Sequence, residues 1–173
     1  YDLKDAQAAG LLHDSAKCIP NKKKLKMCAE HNIPVTPFEK EHPFLLHAKL
    51  GAYVARAKYG ITDEEILSSI TVHTTGKPEM STLEKIVYIA DYIEPKRDKA
   101  PNLAFVRKLA FQDLDECMYK ILGDTLAYLE ENPKDKLPED DVYNTISEVY
   151  LNAVASLYTY VGGYSDSQGL QGT

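Results

Sequence analysis

Apolar residues recur at intervals of three and four along almost the whole chain, and strict apolar–polar alternation is nearly absent. The first pattern builds one-sided helices, while half-buried strands need the second. No Asn-Gly or Asp-Gly pair marks a two-residue hairpin. The chain is therefore predicted to be an all-α, single-domain helical bundle, and 173 residues suffice for a substantial core.

Punctuation divides the pattern. A first helix is expected over 3–16, facing inward with Leu3, Ala8, Leu11 and Leu12, and a short basic helix over 22–31. A loop with Pro34 and Pro37 follows, then a helix over 43–59 that stops at Tyr59-Gly60. Thr62-x-x-Glu65 and Ser81-x-x-Glu84 read as capping boxes. They open one helix reaching His73 and another ending at Glu94-Pro95, with Leu83, Ile86, Val87 and Ala90 inward. A short helix from Asn102 to 111 precedes a longer one from Asp113 to 131. Pro133 to Asp141 is a polar connection, and a last helix spans 142–160. Residues 161–173 are too poor in apolar side chains to fold and are expected to be a mobile tail.

A net charge of −6 argues against a general nucleic-acid surface. No apolar run approaches the length that spans a bilayer, and no signal peptide is visible. Cys18, Cys28 and Cys117 are odd in number and form no Cys-x-x-Cys, as expected for reduced thiols in a cytoplasmic protein. Lys22, Lys23, Lys24 and Lys26 read first as a solvated face, and second as a charge that draws polyphosphate toward a site.

Four positions stand out. His13-Asp14 ends the first helix; His47 lies among apolar residues four before Gly51, where a small residue lets another backbone approach. His73 closes its helix before Thr74-Thr75-Gly76, and Asp91 lies beside the apolar stripe of its own. Singly, each has a structural explanation: a satisfied core histidine, a dipole-facing helix end, a carboxylate bonded to a neighbouring helix. Together they are the residue types of a two-metal oxygen and nitrogen site, in which paired divalent ions activate water and clamp phosphate.

Leu-Leu-His13-Asp14-x-x-Lys17, Leu-Leu-His47-Ala-x-x-Gly51-Ala, His73-Thr-Thr-Gly76 and Ile-Ala-Asp91-Tyr-Ile-Glu-Pro resemble the HD-domain phosphohydrolases, from Tyr1 to about Tyr160. The last two motifs resemble the bacterial type that cleaves diadenosine tetraphosphate symmetrically into two ADP. The resemblance implies that His13, Asp14 and Asp91 bind one metal and that Asp14 bridges to a second held by His47 and His73. It implies iron, with manganese or zinc as alternatives, and an adenine nucleotide as substrate. Asp14 and Lys17 would be catalytic; Lys17, Thr74, Thr75, Gly76, Arg97 and Arg107 would meet phosphate. No nucleic-acid or membrane partner is implied, and a homodimer is compatible with it. Rival readings are a phosphohydrolase acting on a cyclic dinucleotide or guanosine tetraphosphate, and a non-catalytic helical module that senses a metal or nucleotide.

The family pattern opens with a further metal-binding histidine on a helix upstream of the His-Asp pair. Twelve residues precede His13 here and none is histidine, so the domain is expected to lack its first helix in this sequence. His31 closes a basic helix and His42 sits in the charged run Glu-Lys-Glu-His-Pro, so both read as surface residues.

Overall fold

The computed structural model describes residues 2–132, 144–151 and 153–154, and among them there is no strand. The expected tail at 161–173, the connection Pro133–Asp141, and residues 142–143, 152 and 155–160 of the expected last helix lie outside the described residues.

α1 (Leu3–Leu12) begins where the Asp2 side chain accepts from the Lys4 amide at 2.8 Å. It buries Ala9, half-buries Ala6, Ala8 and Leu12, and leaves Leu3 and Leu11 exposed. The inward face is thus rotated from the expected one, because alanines let α1 lie close on α4, α5 and α6. α1 also stops at Leu12, well short of 16: Ser15 and Lys17 donate to Leu12 and Asp14 in successive three-residue turns, 3.0 and 2.9 Å.

α2 (Asn21–Glu30) buries Lys24 together with Cys28, four residues on, against the turn that precedes α4. The basic run is therefore not uniformly solvated: Lys24 is 3% exposed, and burial lowers its pKa. α3 (Pro37–Glu41) lies where a loop was expected. Thr36 and Glu39 form a reciprocal cap, and Pro37 stands at the first helical position, where its missing N–H costs nothing. A 3₁₀ turn (Pro43–Leu46) leads into α4 (His47–Tyr59), which ends at Gly60 with φ of 70°. α5 (Glu64–Val72) is capped by Asp63, not Thr62, whose carboxylate accepts from the Glu65 and Ile66 amides. α6 (Thr82–Tyr92) carries the expected Ser81–Glu84 box. α7 (Leu103–Leu109) and α8 (Leu114–Glu131) follow, with helical residues at 144–151.

α5 packs against α1, α4 and α6, and Ile70 at its centre is fully buried. Burial of such a side chain stabilises by about 1.5–3 kcal/mol. α6 faces two cores. Leu83 and Val87 join Ala9, Ala55, Ile66 and Ile70, whereas Tyr88 and Ile89 join Val106, Ile121, Ile146 and Val149. Of the residues expected inward on α6, Ile86 is half-buried and Ala90 exposed, since the helix buries two opposed sides rather than one stripe. Ala16, Cys28, Leu46 and Leu50 close a third cluster beneath the 13–18 turns. These three clusters fix the ends of α1, α5 and α6 and the start of α4, where the candidate ligands stand.

Candidate metal centre

Each of the three histidines sits at a helix end and is held by the turn before it. Nδ1 of His13 lies 2.7 Å from the Gly10 carbonyl, that of His47 2.7 Å from Phe44, and that of His73 2.7 Å from Ile70. A carbonyl only accepts, so each Nδ1 carries the proton and each Nε2 presents a lone pair. The three Nε2 atoms point at the two carboxylates. Nε2 of His47 and of His73 lie 3.4 and 3.6 Å from Asp14 Oδ1. Nε2 of His13 lies 3.5 Å from Asp14 Oδ2 and 3.6 Å from Asp91 Oδ1.

Asp14 stands in a turn, and Gly51 on α4 lets that turn approach. A Cβ at Gly51 would lie 3.0 Å from the His13 carbonyl oxygen and 3.2 Å from Ile70 Cγ2. Asp14 Oδ2 accepts from Lys17 Nζ at 2.6 Å, while Oδ1 is buried and has no hydrogen-bond partner. An unsatisfied buried carboxylate oxygen facing two imidazole lone pairs is costly unless a cation lies among them.

The donor set fits such a cation. Nε2 of His47, Nε2 of His73 and Asp14 Oδ1 are 3.2, 3.4 and 3.6 Å apart. Ligands about 2.1 Å from a tetrahedral ion lie about 3.4 Å from one another. Donor atoms of His13, Asp14 and His73 also lie within 4.8 Å of one another. Asp14 and His73 are common to both groupings.

Burial lowers the pKa of His47 and of His73, which keeps both rings neutral as ligands must be. His13 is raised, chiefly by its contact with Asp91, then by Gly10 and the Asp14 charge. Burial would push Asp91 up, but His13, the His73 ring and Arg97 hold its carboxyl below the usual range.

A cavity of about 340 Å³ opens beside these groups, lined by His13, Asp14, Lys17, Asp91, Glu94 and Arg97. Arg97 lies over the Tyr92 ring, 5.4 Å from its centroid, and its Nη2 donates to the Asp91 carbonyl at 3.2 Å. Its Nε is buried without a partner. Glu94 was not anticipated; it follows from the loop after α6 folding back over the cavity.

Four expected phosphate contacts do not line this cavity. Arg107 donates instead to the carbonyls of Ile93, Glu94 and Arg97, at 3.1, 2.8 and 3.1 Å, and so shapes the loop that carries Arg97. The Gly76 amide donates to Val72 at 2.8 Å, and Thr75 Oγ1 donates to the Gly76 carbonyl, so this turn terminates α5. Thr74 adjoins it, half-buried. His31 stacks on Tyr53 and His42 lies against Phe38, both outside the centre.

Comparison with known proteins gives concordant results. The model of the HD domain matches residues 1–96. A Bacillus subtilis (strain 168) protein named "Bis(5'-nucleosyl)-tetraphosphatase, symmetrical" is 37% identical over 138 residues, covering 80% of this chain and 73% of that one. A Staphylococcus aureus protein of the same name is 33% identical over 132 residues, covering 74% of this chain and 66% of that one. A crystal structure from Clostridium acetobutylicum, described as a predicted HD superfamily hydrolase involved in NAD metabolism, superposes with a TM-score of 0.79. It is 33% identical and covers 90% of this chain and 78% of that one.

Proposed function

The chain belongs to the HD-domain family, and on that footing we propose that it is a metal-dependent hydrolase of dinucleoside polyphosphates, cleaving diadenosine tetraphosphate into two ADP. The observation that carries this is Asp14 Oδ1, an orphaned carboxylate oxygen at the meeting point of imidazole lone pairs. His13, Asp14 and Asp91 would hold one divalent ion, and His47 and His73, sharing Asp14, a second. Iron is the favoured metal, with manganese and zinc as alternatives. Bound there, the ions would supply Lewis acidity and an acidified water.

The chain's own residues do the rest. Asp14 holds both halves of the centre in register from one turn. Lys17 stands beside it at the cavity edge and places a positive charge where phosphoryl oxygens gather negative charge. Arg97 lines the same cavity with an unpartnered N–H, the donor a phosphate oxygen would satisfy. Arg107 fixes the 93–97 loop and acts through Arg97 as a positioning residue. Symmetrical cleavage breaks the anhydride bond between the two central phosphorus atoms. Water adds to one of them, and the ADP that keeps the bridging oxygen leaves from that same phosphorus as an anion that needs no separate general acid. The attacked half, carrying the water oxygen, is the second ADP.

Elemental analysis of the purified protein, followed by identification of products from diadenosine tetraphosphate, tests the reading. ADP as sole product is expected. AMP with ATP, or no turnover by fully metal-loaded protein, would overturn it.

A further inference from the structure

The metal cavity is one of two that meet along α6. A second groove, of about 430 Å³, shares the Ile86 and Ala90 walls with it and runs on toward the α7–α8 connection. Its floor is apolar, formed by Ile86, Ile89 and Ile93. Phe111 borders it and is 88% exposed, the most exposed large apolar side chain among the described residues. The adjacent Gln112 carries an amide with no hydrogen bond to any described group, while Asp113 is engaged in capping α8. Ala90, exposed and small, lines both cavities.

This arrangement matches the parts of a nucleotide. One end has cations and a metal site; the other has a flat apolar floor, a free aromatic ring and a single amide. Ile86 and Ala90 line both cavities, so one ligand can reach from the metal side into the groove along this side of α6. Aromatic side chains at such grooves stack bases, and a Gln carboxamide can accept from adenine N6 while donating to N7.

We propose that the groove bordered by Phe111 and Gln112 is the nucleobase subsite, in which an adenine stacks on Phe111 and presents its N6/N7 edge to Gln112. The proposal rests on the hydrolase reading for the phosphate side of the same ligand. It makes Phe111 the residue that sets affinity for the nucleoside and Gln112 the residue that sets preference among purines.

The test is equilibrium binding of ADP, IDP and inorganic pyrophosphate to the metal-loaded protein. Phe111 buries little, so Phe111→Ala should fold as the parent does. It should weaken ADP about tenfold or more, with pyrophosphate unchanged and Phe111→Trp restoring ADP. Gln112→Leu should abolish the preference for ADP over IDP. Equal weakening of ADP and pyrophosphate by Phe111→Ala, or no weakening of ADP, would overturn the subsite. So would loss of a dimer on size exclusion with ADP affinity intact, since the groove would then belong to a second copy of this chain. Failure of the hydrolase reading looks different: diadenosine tetraphosphate persists while ADP binding still depends on Phe111.

Discussion

The Nε2 atoms of His47 and His73 lie 3.2 Å apart, closer to one another than either is to Asp14. With both Nδ1 protons given to carbonyls, this contact sets two lone pairs face to face and is not a hydrogen bond. Without an ion the pair is repulsive, so the fold holds an arrangement that a cation relieves. Metal should therefore raise the unfolding free energy by about 4 kcal/mol at a thousandfold excess over its dissociation constant, and the thermal midpoint with it. Thermal unfolding with and without chelator measures this, and superimposable curves would contradict it.

Asp14→Asn separates stability from chemistry. Replacing a ligand should cost more than the 10–100-fold typical of its supporting partners, so turnover should fall by more than about 100-fold. In chelator the variant should unfold no more easily than the parent, because an Asn amide can donate to an imidazole Nε2 where Asp14 Oδ1 is buried without a partner. Lys17→Met, which removes one exposed ammonium, should cost only about tenfold. Steady-state kinetics and urea titration report the two halves.

Two glycine substitutions should act in opposite directions. Gly10→Ala places a methyl where nothing lies within 4 Å, and should stabilise α1 by about 0.5–1 kcal/mol. Gly51→Ala pushes on the His13 carbonyl from 3.0 Å, and should displace the His-Asp turn. Its metal affinity should fall although no ligand has changed, which titration of each variant with metal will show.

Glu84 is a pH-sensitive strut remote from the metal. It is 2% exposed and accepts from Ser68 at 2.5 Å, from the Ser81 amide at 2.8 Å and from Lys77 at 2.7 Å. Burial would raise its carboxyl, but Lys77, Ser68 and Ser81 hold it below its ordinary value of 4.5. A depressed carboxylate stabilises fully above the unfolded pKa and loses that contribution as pH falls through the folded one. Glu84→Gln should cost about 1.5–3 kcal/mol at neutral pH, and should flatten the loss of stability below pH 4.5. Urea midpoints between pH 3 and 7 would expose a parallel decline, the contrary result.

Arg107→Lys should not rescue Arg107→Ala. The guanidinium reaches three carbonyls with a planar fork that an ammonium cannot reproduce. Both variants should raise KM more than they lower kcat, because they loosen the 93–97 loop without removing a ligand.

The sequence pattern made some of this legible and hid the rest for physical reasons. The 3.6-residue period and the Ser81–Glu84 box are local, and both appear where expected. Histidines at helix ends next to apolar turns were visible as candidates because position along a helix is also local. The buried face of α1 was not, since Ala9 is chosen by the closeness of α5 and not by hydrophobicity. α3 was masked by Pro37, a helix breaker everywhere except at the first position. The contacts of Arg107 with three carbonyls 10 to 14 residues away were not legible either, because nothing in its sequence neighbours reveals them.

The imidazole–carbonyl contacts at Gly10 and Ile70 give His13 and His73 a second duty. The last four carbonyls of any helix lack an intrahelical donor, and these two rings supply one to α1 and to α5. A substitution that removes either ring therefore frays a helix end as well as emptying a ligand position. Amide hydrogens of Leu12 and Val72, in the turns just before them, should exchange faster in His13→Ala and His73→Ala even when no ion is present. That exchange separates the mechanical share of each histidine from the coordinative one, which activity alone merges.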